Sequence, residues 1–459
     1  MHIVRNVLTV VLSGLVLGSA GQEETLDAYI ETGLENNLAL MQKEANYAKS
    51  MEVLKQARAM FFPEISLNAR YTVAEGGRVI DFPVGTMLNP VYQSLNYLLG
   101  QDLFPDIENM EFAFYRPTEH ETKIRLAQPI IDTKIIYNQK INKELSKAVK
   151  ADAGAYKRQL VAEIKTAYFN YLKTVKLLEL VDETRELLEE NIRVNEHLFE
   201  NDMVTIENVY RSKAERSKLD RQAAEARKNH EVARAYFNFL LNRPFETTIV
   251  ADVRYDSVPG TLLLDDLAEH AVVNREELQM LRSYTKVAEE HVSMNQFNKL
   301  PNLYAVVDYG FQGRHYEFNM RQDYLFASLI FRWELFHGFQ NKASIGEARV
   351  EHSLRSTQLE EAERQIRLET IQAHYDLIAS AESVDASKEE LKSASNAFRM
   401  IRRKYSEGQA TLIEFMDART AMTQAEMQLI ISRYDFHIKY AELERVACLY
   451  PIENDQTYK

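Results

Sequence analysis

Cysteine is almost missing from this sequence: Cys448 stands alone among 459 residues. No disulfide can form within the chain, and no cysteine cluster can hold a metal. Positive charge is also short, with 55 Lys and Arg against 68 Asp and Glu and a net charge of −13. That balance excludes the basic footprint of a nucleic-acid binder. Past the N-terminus, no apolar run approaches the roughly 20 residues a membrane helix needs. The eleven histidines show no His-x-x-x-His spacing, and no glycine-rich phosphate loop, nucleophile elbow or paired catalytic motif occurs. No enzyme active site, metal or cofactor is expected.

At the N-terminus, His2 and Arg5 precede an apolar run from Val7 to Leu17, followed by the small residues Gly18, Ser19, Ala20 and Gly21. That order predicts an export signal over residues 1–21. The run is too short to span a bilayer, and no cysteine follows it to carry a lipid. An exported chain without membrane helices is periplasmic, secreted, or inserted in the outer membrane through β-strands.

Proline is scarce and unevenly placed. Ten occur, and two tracts have none: Ile130 to Arg243 and Asn302 to Tyr450. Proline inside a helix costs about 3 kcal/mol, so these tracts permit very long helices, and their Ala, Glu, Lys, Leu, Gln and Arg favour them. Helices are predicted over about 134–199, 206–241 and 340–405, and, after a break at Glu407-Gly408-Gln409, onward to Leu449. The first is roughly 100 Å long at about 1.5 Å per residue. Ile164, Tyr171, Leu178, Ile192 and Phe199 repeat every seven residues, with Arg185 interrupting, as do Phe415, Met422, Leu429, Phe436 and Leu443. Sevenfold spacing marks coiled-coil packing. Such helices cannot fold back into a globule and must pack as a rod or tube.

The sequence also repeats itself. Leu26 through Pro63 matches Leu264 through Pro301 at an offset of 238, pairing Asn36 with Asn274, Leu40 with Leu278 and Tyr71 with Tyr309. Later parts match at 206: Ala167 with Ala373, Phe169 with Tyr375, Phe199 with Tyr405, Thr205 with Thr411. A first repeat over 22–259, a second over 260–451 and a tail over 452–459 are expected. The first carries an extra segment, Gly76 to Pro117, read as a long loop with a short helix around Val91 to Leu99.

Four segments alternate with period two, and they are expected as strands over about 63–75, 120–131, 301–312 and 322–336. Ile65, Leu67, Ala69, Tyr71 and Val73 share one face of the first, and Ser66, Asn68, Arg70 and Thr72 share the other. Leu325 through Leu335 alternate in the same way. Each is near the roughly 9–11 residues of a tilted membrane strand. Apolar-out, polar-in alternation marks a membrane barrel, although a half-buried soluble sheet gives the same pattern. Four strands cannot close a barrel, whose lower limit is about eight; three chains would supply twelve. Tyr71, Tyr309, Tyr324 and Trp333 at strand ends suit interfacial girdles.

In this order, from Leu26 to about Pro451, these features resemble the TolC family of outer-membrane factors. The most specific pieces are Leu126-Ala-Gln-Pro-Ile-Ile-Asp132, like the family's strand-to-helix junction, and Tyr405-Ser-Glu-Gly-Gln-Ala-Thr-Leu-Ile-Glu-Phe-Met-Asp417, like its second periplasmic hairpin. Phe199 through Asn208 is the first-half counterpart, with Asp202 where the family has glycine; Asp tolerates left-handed backbone better than most residues. The resemblance implies an α+β, mostly α fold: coiled-coil helices forming a periplasmic tube, and four strands per chain in a trimeric, twelve-stranded barrel within outer-membrane lipid. It implies a homotrimer working with a periplasmic adaptor (membrane fusion) protein and an inner-membrane pump of RND or ABC type. Its cargo would be small toxic compounds or, in type I secretion, polypeptides. By the same resemblance Glu414 and Asp417 form an acidic ring at the periplasmic mouth, the alternative being two solvated acids favoured by the helix dipole. Asp202, Gly408, Thr205 and Thr411 mark the hairpin tips where adaptors dock. Tyr405 and Asn208 are candidates for gate packing, and Pro63, Pro129 and Pro301 sit at strand–helix junctions. The competing reading is a soluble periplasmic coiled-coil adaptor or scaffold.

Overall fold

The structure, a computed structural model, describes residues 25–251 and 264–452. The expected export signal and nearly all of the C-terminal tail lie outside the described residues. In chain order the elements are α1 (Leu26–Asn36), α2 (Leu38–Ala59), β1 (Glu64–Val73), β2 (Val79–Phe82), α3 (Val84–Leu99), β3 (Met110–Ala113), β4 (Thr118–Ile131), α4 (Thr133–Glu200) and α5 (Ile206–Leu240). After these come α6 (Leu264–Asn274), α7 (Glu276–Phe297), β5 (Asn302–Gly313), β6 (Asp323–Arg332), α8 (Gln340–Ser406) and α9 (Leu412–Val446). With β2, α3 and β3 set aside, the order helix, helix, strand, strand, helix, helix runs twice. The chain divides into two compact units, one from residues 25–49, 147–251, 264–283 and 356–452, the other from 50–146 and 284–355.

The first unit is all helix, and its two halves solve one problem with different residues. Between α1 and α2 stands Asn37, whose side-chain oxygen accepts from the N–H groups of Ala39 and Leu40, each at 3.0 Å. This caps α2, satisfying donors that a helix start otherwise leaves free. The Asn37 amide donates to the Leu240 carbonyl at 2.9 Å, fastening the end of α5. At the matching place between α6 and α7 stands Arg275, which donates to the Val446 carbonyl at the end of α9, 3.2 Å away. Around the first of these junctions Tyr29, Ile30, Ile164, Tyr168, Phe237 and Leu241 form a fully buried core. The Tyr29 and Phe237 rings meet edge to face at 5.1 Å. α1 lies so close to α4 that a methyl on Gly33 would stand 2.3 Å from the Ile164 side chain.

The second unit holds a four-stranded antiparallel sheet of order β1-β4-β5-β6. Leu67 pairs with Ile124, Ile124 with Tyr309, and Tyr309 with Leu325. Pro63 and Pro301 stand just before β1 and β5, whereas Pro129 lies inside β4 at a register shift. The strand expected over 322–336 ends at Arg332. The cause is across the ladder: Arg332 pairs with Asn302, and the preceding Pro301 has no N–H to offer. Trp333 therefore lies beyond the strand, its indole N–H donating to the Lys299 carbonyl at 2.9 Å.

The Gly76–Pro117 segment carries more structure than a loop. β2 and β3 form a two-stranded ladder, and α3 runs straight through Pro90. The helix survives this proline because it is fastened on both sides of it. Asn89 exchanges two hydrogen bonds with the Ile107 backbone, at 2.7 and 3.0 Å. Asn96 takes the N–H groups of Leu103 and Phe104 and donates to the Phe104 carbonyl.

Candidate functional site

The sheet separates its side chains by chemistry. One face carries Ile65, Leu67, Tyr71, Ile124, Tyr309, Leu325 and Leu329 in register. These are bare: Leu67 is 72%, Leu325 66% and Leu329 67% exposed. A soluble half-buried sheet puts that face against a core, and the exposure of these side chains shows that no described helix covers it. The opposite face carries Arg70, Glu121, Lys123, Arg125, Asp308 and Tyr324, with Phe326 and Ile330 beside them on β6. The Arg125 guanidinium donates twice to Asp308, at 2.8 and 2.7 Å, and Lys123 to Glu121 at 2.9 Å. Tyr324 belongs to this charged face, donating its hydroxyl to Glu121 at 2.7 Å, so it is not an aromatic of the apolar side. Among the described residues both outer strands, β1 and β6, keep an open edge, which invites pairing with another chain.

In the helical unit, α4–α5 and α8–α9 end in two hairpin tips built alike. At the first, the N–H groups of Asn201, Asp202 and Met203 bond back to His197, Phe199 and Leu198. At the second, those of Glu407, Gly408 and Gln409 bond back to Arg403, Tyr405 and Lys404. This is the left-handed helix stop, with φ of 57° at Asp202 and 71° at Gly408. A left-handed residue with a Cβ costs about 1–2 kcal/mol. Nothing lies within 4 Å of a Cβ built on Gly408, so Gly408→Ala is expected to weaken its tip through the backbone alone. Asp202→Gly should relieve the other tip. Faster amide exchange at 404–411 in the first variant and slower exchange at 198–205 in the second would agree; the reverse order would refute it.

Thr205 and Thr411 are the N-caps of α5 and α9, but only the second makes a capping box. The Thr411 N–H and hydroxyl donate to the Glu414 carboxylate at 2.7 and 2.9 Å, and the Glu414 N–H returns a bond to the Thr411 hydroxyl at 3.2 Å. The equivalent position in the first hairpin is Asn208, too short for the same reach. The Thr411 backbone N–H, followed by its hydroxyl, holds the Glu414 carboxyl below its usual 4.5. A depressed carboxylate supports the fold above its unfolded pKa and loses that support as pH falls through the folded one. Amide exchange at 411–415, corrected for its intrinsic pH dependence, should therefore accelerate below about pH 4, and Glu414→Gln should remove that step. Asp417 lies exposed one turn further along α9.

Between the tips opens a cleft of about 930 Å³ that brings together Tyr405, Asn208, Gly408 and Thr411. Asp202, Thr205, Glu414 and Asp417 are not part of its lining. Tyr405 donates to the Asn195 side-chain oxygen at 3.2 Å and stacks on Phe415 at 4.8 Å. Asn195 is fully buried and tied to Asn191 and Ser212. It sits on the seam with Leu188, seven residues earlier, so a polar residue at a core position was the available signal. Arg419, also in the lining, is 5% exposed.

A bare apolar sheet face, two open edges and paired helical hairpins are now joined by likeness to known proteins. Residues 267–447 match the family described as Outer membrane efflux protein. Outer membrane protein TolC of Escherichia coli strain K12 is 22% identical over 452 residues, covering 95% of this chain and 85% of its own. Over residues 267–447 the chain matches the outer-membrane efflux protein family, and its likeness to TolC runs nearly end to end. Its fold is shared by the CmeC outer membrane channel of Campylobacter jejuni, with TM-score 0.74, 14% identity, and 97% of this chain and 93% of that one covered. The open state of the Neisseria gonorrhoeae MtrE outer membrane channel gives TM-score 0.75 and 15% identity, with coverage of 92% and 88%. The family match falls on the second half, which carries Gly408, Glu414 and Asp417.

Proposed function

We propose that three copies of this chain close one barrel in the outer membrane and form the exit duct of a tripartite efflux or type I secretion system. The observation that carries the reading is the sheet. One exposed face is apolar, the other carries a network of paired charges, and both edges are free among the described residues. Three chains of four strands give twelve, enough to close, and closure removes the edges. The apolar face then meets lipid, and the Arg125–Asp308 and Lys123–Glu121 pairs line a polar lumen. A soluble periplasmic scaffold would have no use for such a face. The helical hairpins extend into the periplasm, where an adaptor docks at the tips around Asp202 and Gly408. An inner-membrane pump supplies the energy, and the duct itself carries out no catalysis and needs no cofactor.

At the periplasmic mouth two acids per chain, Glu414 and Asp417, become six around the three-fold axis and favour cations. Glu414 is already engaged with Thr411, so Asp417 is the freer of the two. Planar-bilayer recordings of the purified protein test the duct: discrete conductance steps are expected, blocked by multivalent cations and relieved when both acids are replaced by Ala. A water-soluble monomer that never inserts would refute the duct, and unchanged block would remove the acidic mouth alone.

A further inference from the structure

We propose that the cleft between the hairpin tips is a binding site for a small aromatic anion, a carboxylate or sulfonate, with Arg419 as its charged anchor. The site goes beyond the passage of cargo, since it is formed within a single chain. Two observations meet there. The first is the cleft itself, whose roughly 930 Å³ lies within the range of about 300–1,000 Å³ that holds a drug-sized ligand. The second is Arg419 in its wall: the residue is 5% exposed, and neither Nε nor Nη1 has a hydrogen-bond partner. Its nearest carboxylate, Glu215, stands 3.9 Å from Nη2, too far for a hydrogen bond. A guanidinium withdrawn from water with donors unmet is costly. An anion in the cleft beside the guanidinium would offset that cost, because a small turn of the side chain brings the unmet donors to it in charge-assisted bonds, the strong kind.

The rest of the lining sets the ligand's shape and charge. Phe398, Tyr405 and Phe415 form an aromatic wall, with Phe398 5.5 Å and Tyr405 4.8 Å from the Phe415 ring. Rings packed in this way receive a further flat ring by offset or edge contact. The two carboxylates in the lining are already engaged, Glu207 with Arg211 at 2.9 Å and Glu190 with Arg193. The unspent charge in the cleft is therefore positive, from buried Arg419 and from Arg402, which is exposed in the same lining.

The test uses 2-naphthoate and its neutral, isosteric amide, 2-naphthamide, titrated calorimetrically into the purified full-length protein. The protein is held in lipid nanodiscs, or in buffer if it proves water-soluble. Naphthoate is expected to bind saturably, one per chain, at least about tenfold tighter than naphthamide, the scale of one charge-assisted bond. Arg419→Gln should abolish that preference, and Arg419→Lys should keep part of it. Equal binding of the two compounds, no saturable binding, or an unchanged preference in Arg419→Gln would overturn the proposal. Should Arg419→Gln fail to fold, amide exchange on the wild-type protein decides. Naphthoate must then slow exchange at 187–211 and 398–419 while naphthamide does not, and equal or absent protection overturns the site. Failure of the duct is read separately, from conductance: a conducting protein without the naphthoate preference defeats only this inference.

Discussion

Leu329→Arg is expected to keep the chain out of a bilayer, whereas Ser328→Arg, one residue earlier on the same strand, leaves insertion nearly unchanged. Both residues lie near the middle of β6 and both are exposed, so burial within one chain does not distinguish them. The pleat does. Leu329 pairs with Ala305 on the face that carries Leu67 and Tyr309, and Ser328 points with Asp308 and Lys123. Arginine on the lipid face near the bilayer midplane costs about 2–4 kcal/mol per chain. In a trimer three such costs fall on one assembly, against a total stability of only about 5–15 kcal/mol for a typical domain. Liposome flotation and heat-modified gel migration should show Leu329→Arg in the soluble or aggregated fraction and Ser328→Arg in the membrane. Equal behaviour of the two variants would mean that neither face meets lipid.

The second large effect is expected in the helical unit. Arg158 on α4 donates from Nη2 and Nε to Glu276 at the start of α7, at 2.6 and 2.9 Å, and from Nη1 to the Tyr450 carbonyl at 3.0 Å. Both side chains are nearly out of water, 10% and 15% exposed. Burial works against the charge on Arg158, yet Glu276 beside it holds the guanidinium above its usual range. Removing one partner of such a pair leaves the other buried and uncompensated, at a cost of about 3–5 kcal/mol. Arg158→Met should lower the urea midpoint accordingly. Arg158→Met with Glu276→Leu should recover most of the loss, because two apolar groups of similar size often replace a buried pair at little cost. A double variant no better than the single one would assign the loss to packing around Arg158 instead.

Much of the fold was legible because its signals are local. Absence of proline and sevenfold spacing bounded α4, α5 and α8 to within a residue or two, and period-two alternation found β1, β4, β5 and β6. What escaped depends on partners distant in sequence. The end of β6 is set by Pro301 on the neighbouring strand, and α3 crosses Pro90 because Asn89 and Asn96 reach a return segment that only the fold brings close. α9 stops at Val446, short of the expected Leu449, where Cys448 turns to a φ of 58°.

At the tips, the left-handed turns at Asp202 and Gly408 and a hydrogen bond from Tyr405 could be read from residue types. Its acceptor, Asn195, was signalled only as a polar residue on a seam, and an asparagine there does not name the neighbour it serves. Arg419 was invisible for a related reason. It lies four residues past Phe415, beside the apolar seam, where a charged residue is ordinarily solvated. Glu414, expected from the sequence as a ring acid or a solvated acid favoured by the helix dipole, closes a capping box with Thr411 that only the structure revealed.

A shared barrel requires β1 of one chain to pair with β6 of the next. Within one chain these edges are separated by two strands, about 14 Å at roughly 4.8 Å per strand, beyond the reach of a disulfide at about 7 Å. Cys448 is the only native cysteine and is buried, so introduced cysteines report without interference. Ser66, Asn68 or Arg70 would be replaced by Cys in combination with Phe326, Ser328 or Ile330, and the oxidised protein run on a denaturing, non-reducing gel. A shared barrel predicts that at least one register gives covalent trimers that collapse to monomers on reduction. Monomers alone in every register, or dimers that never advance to trimers, would contradict it.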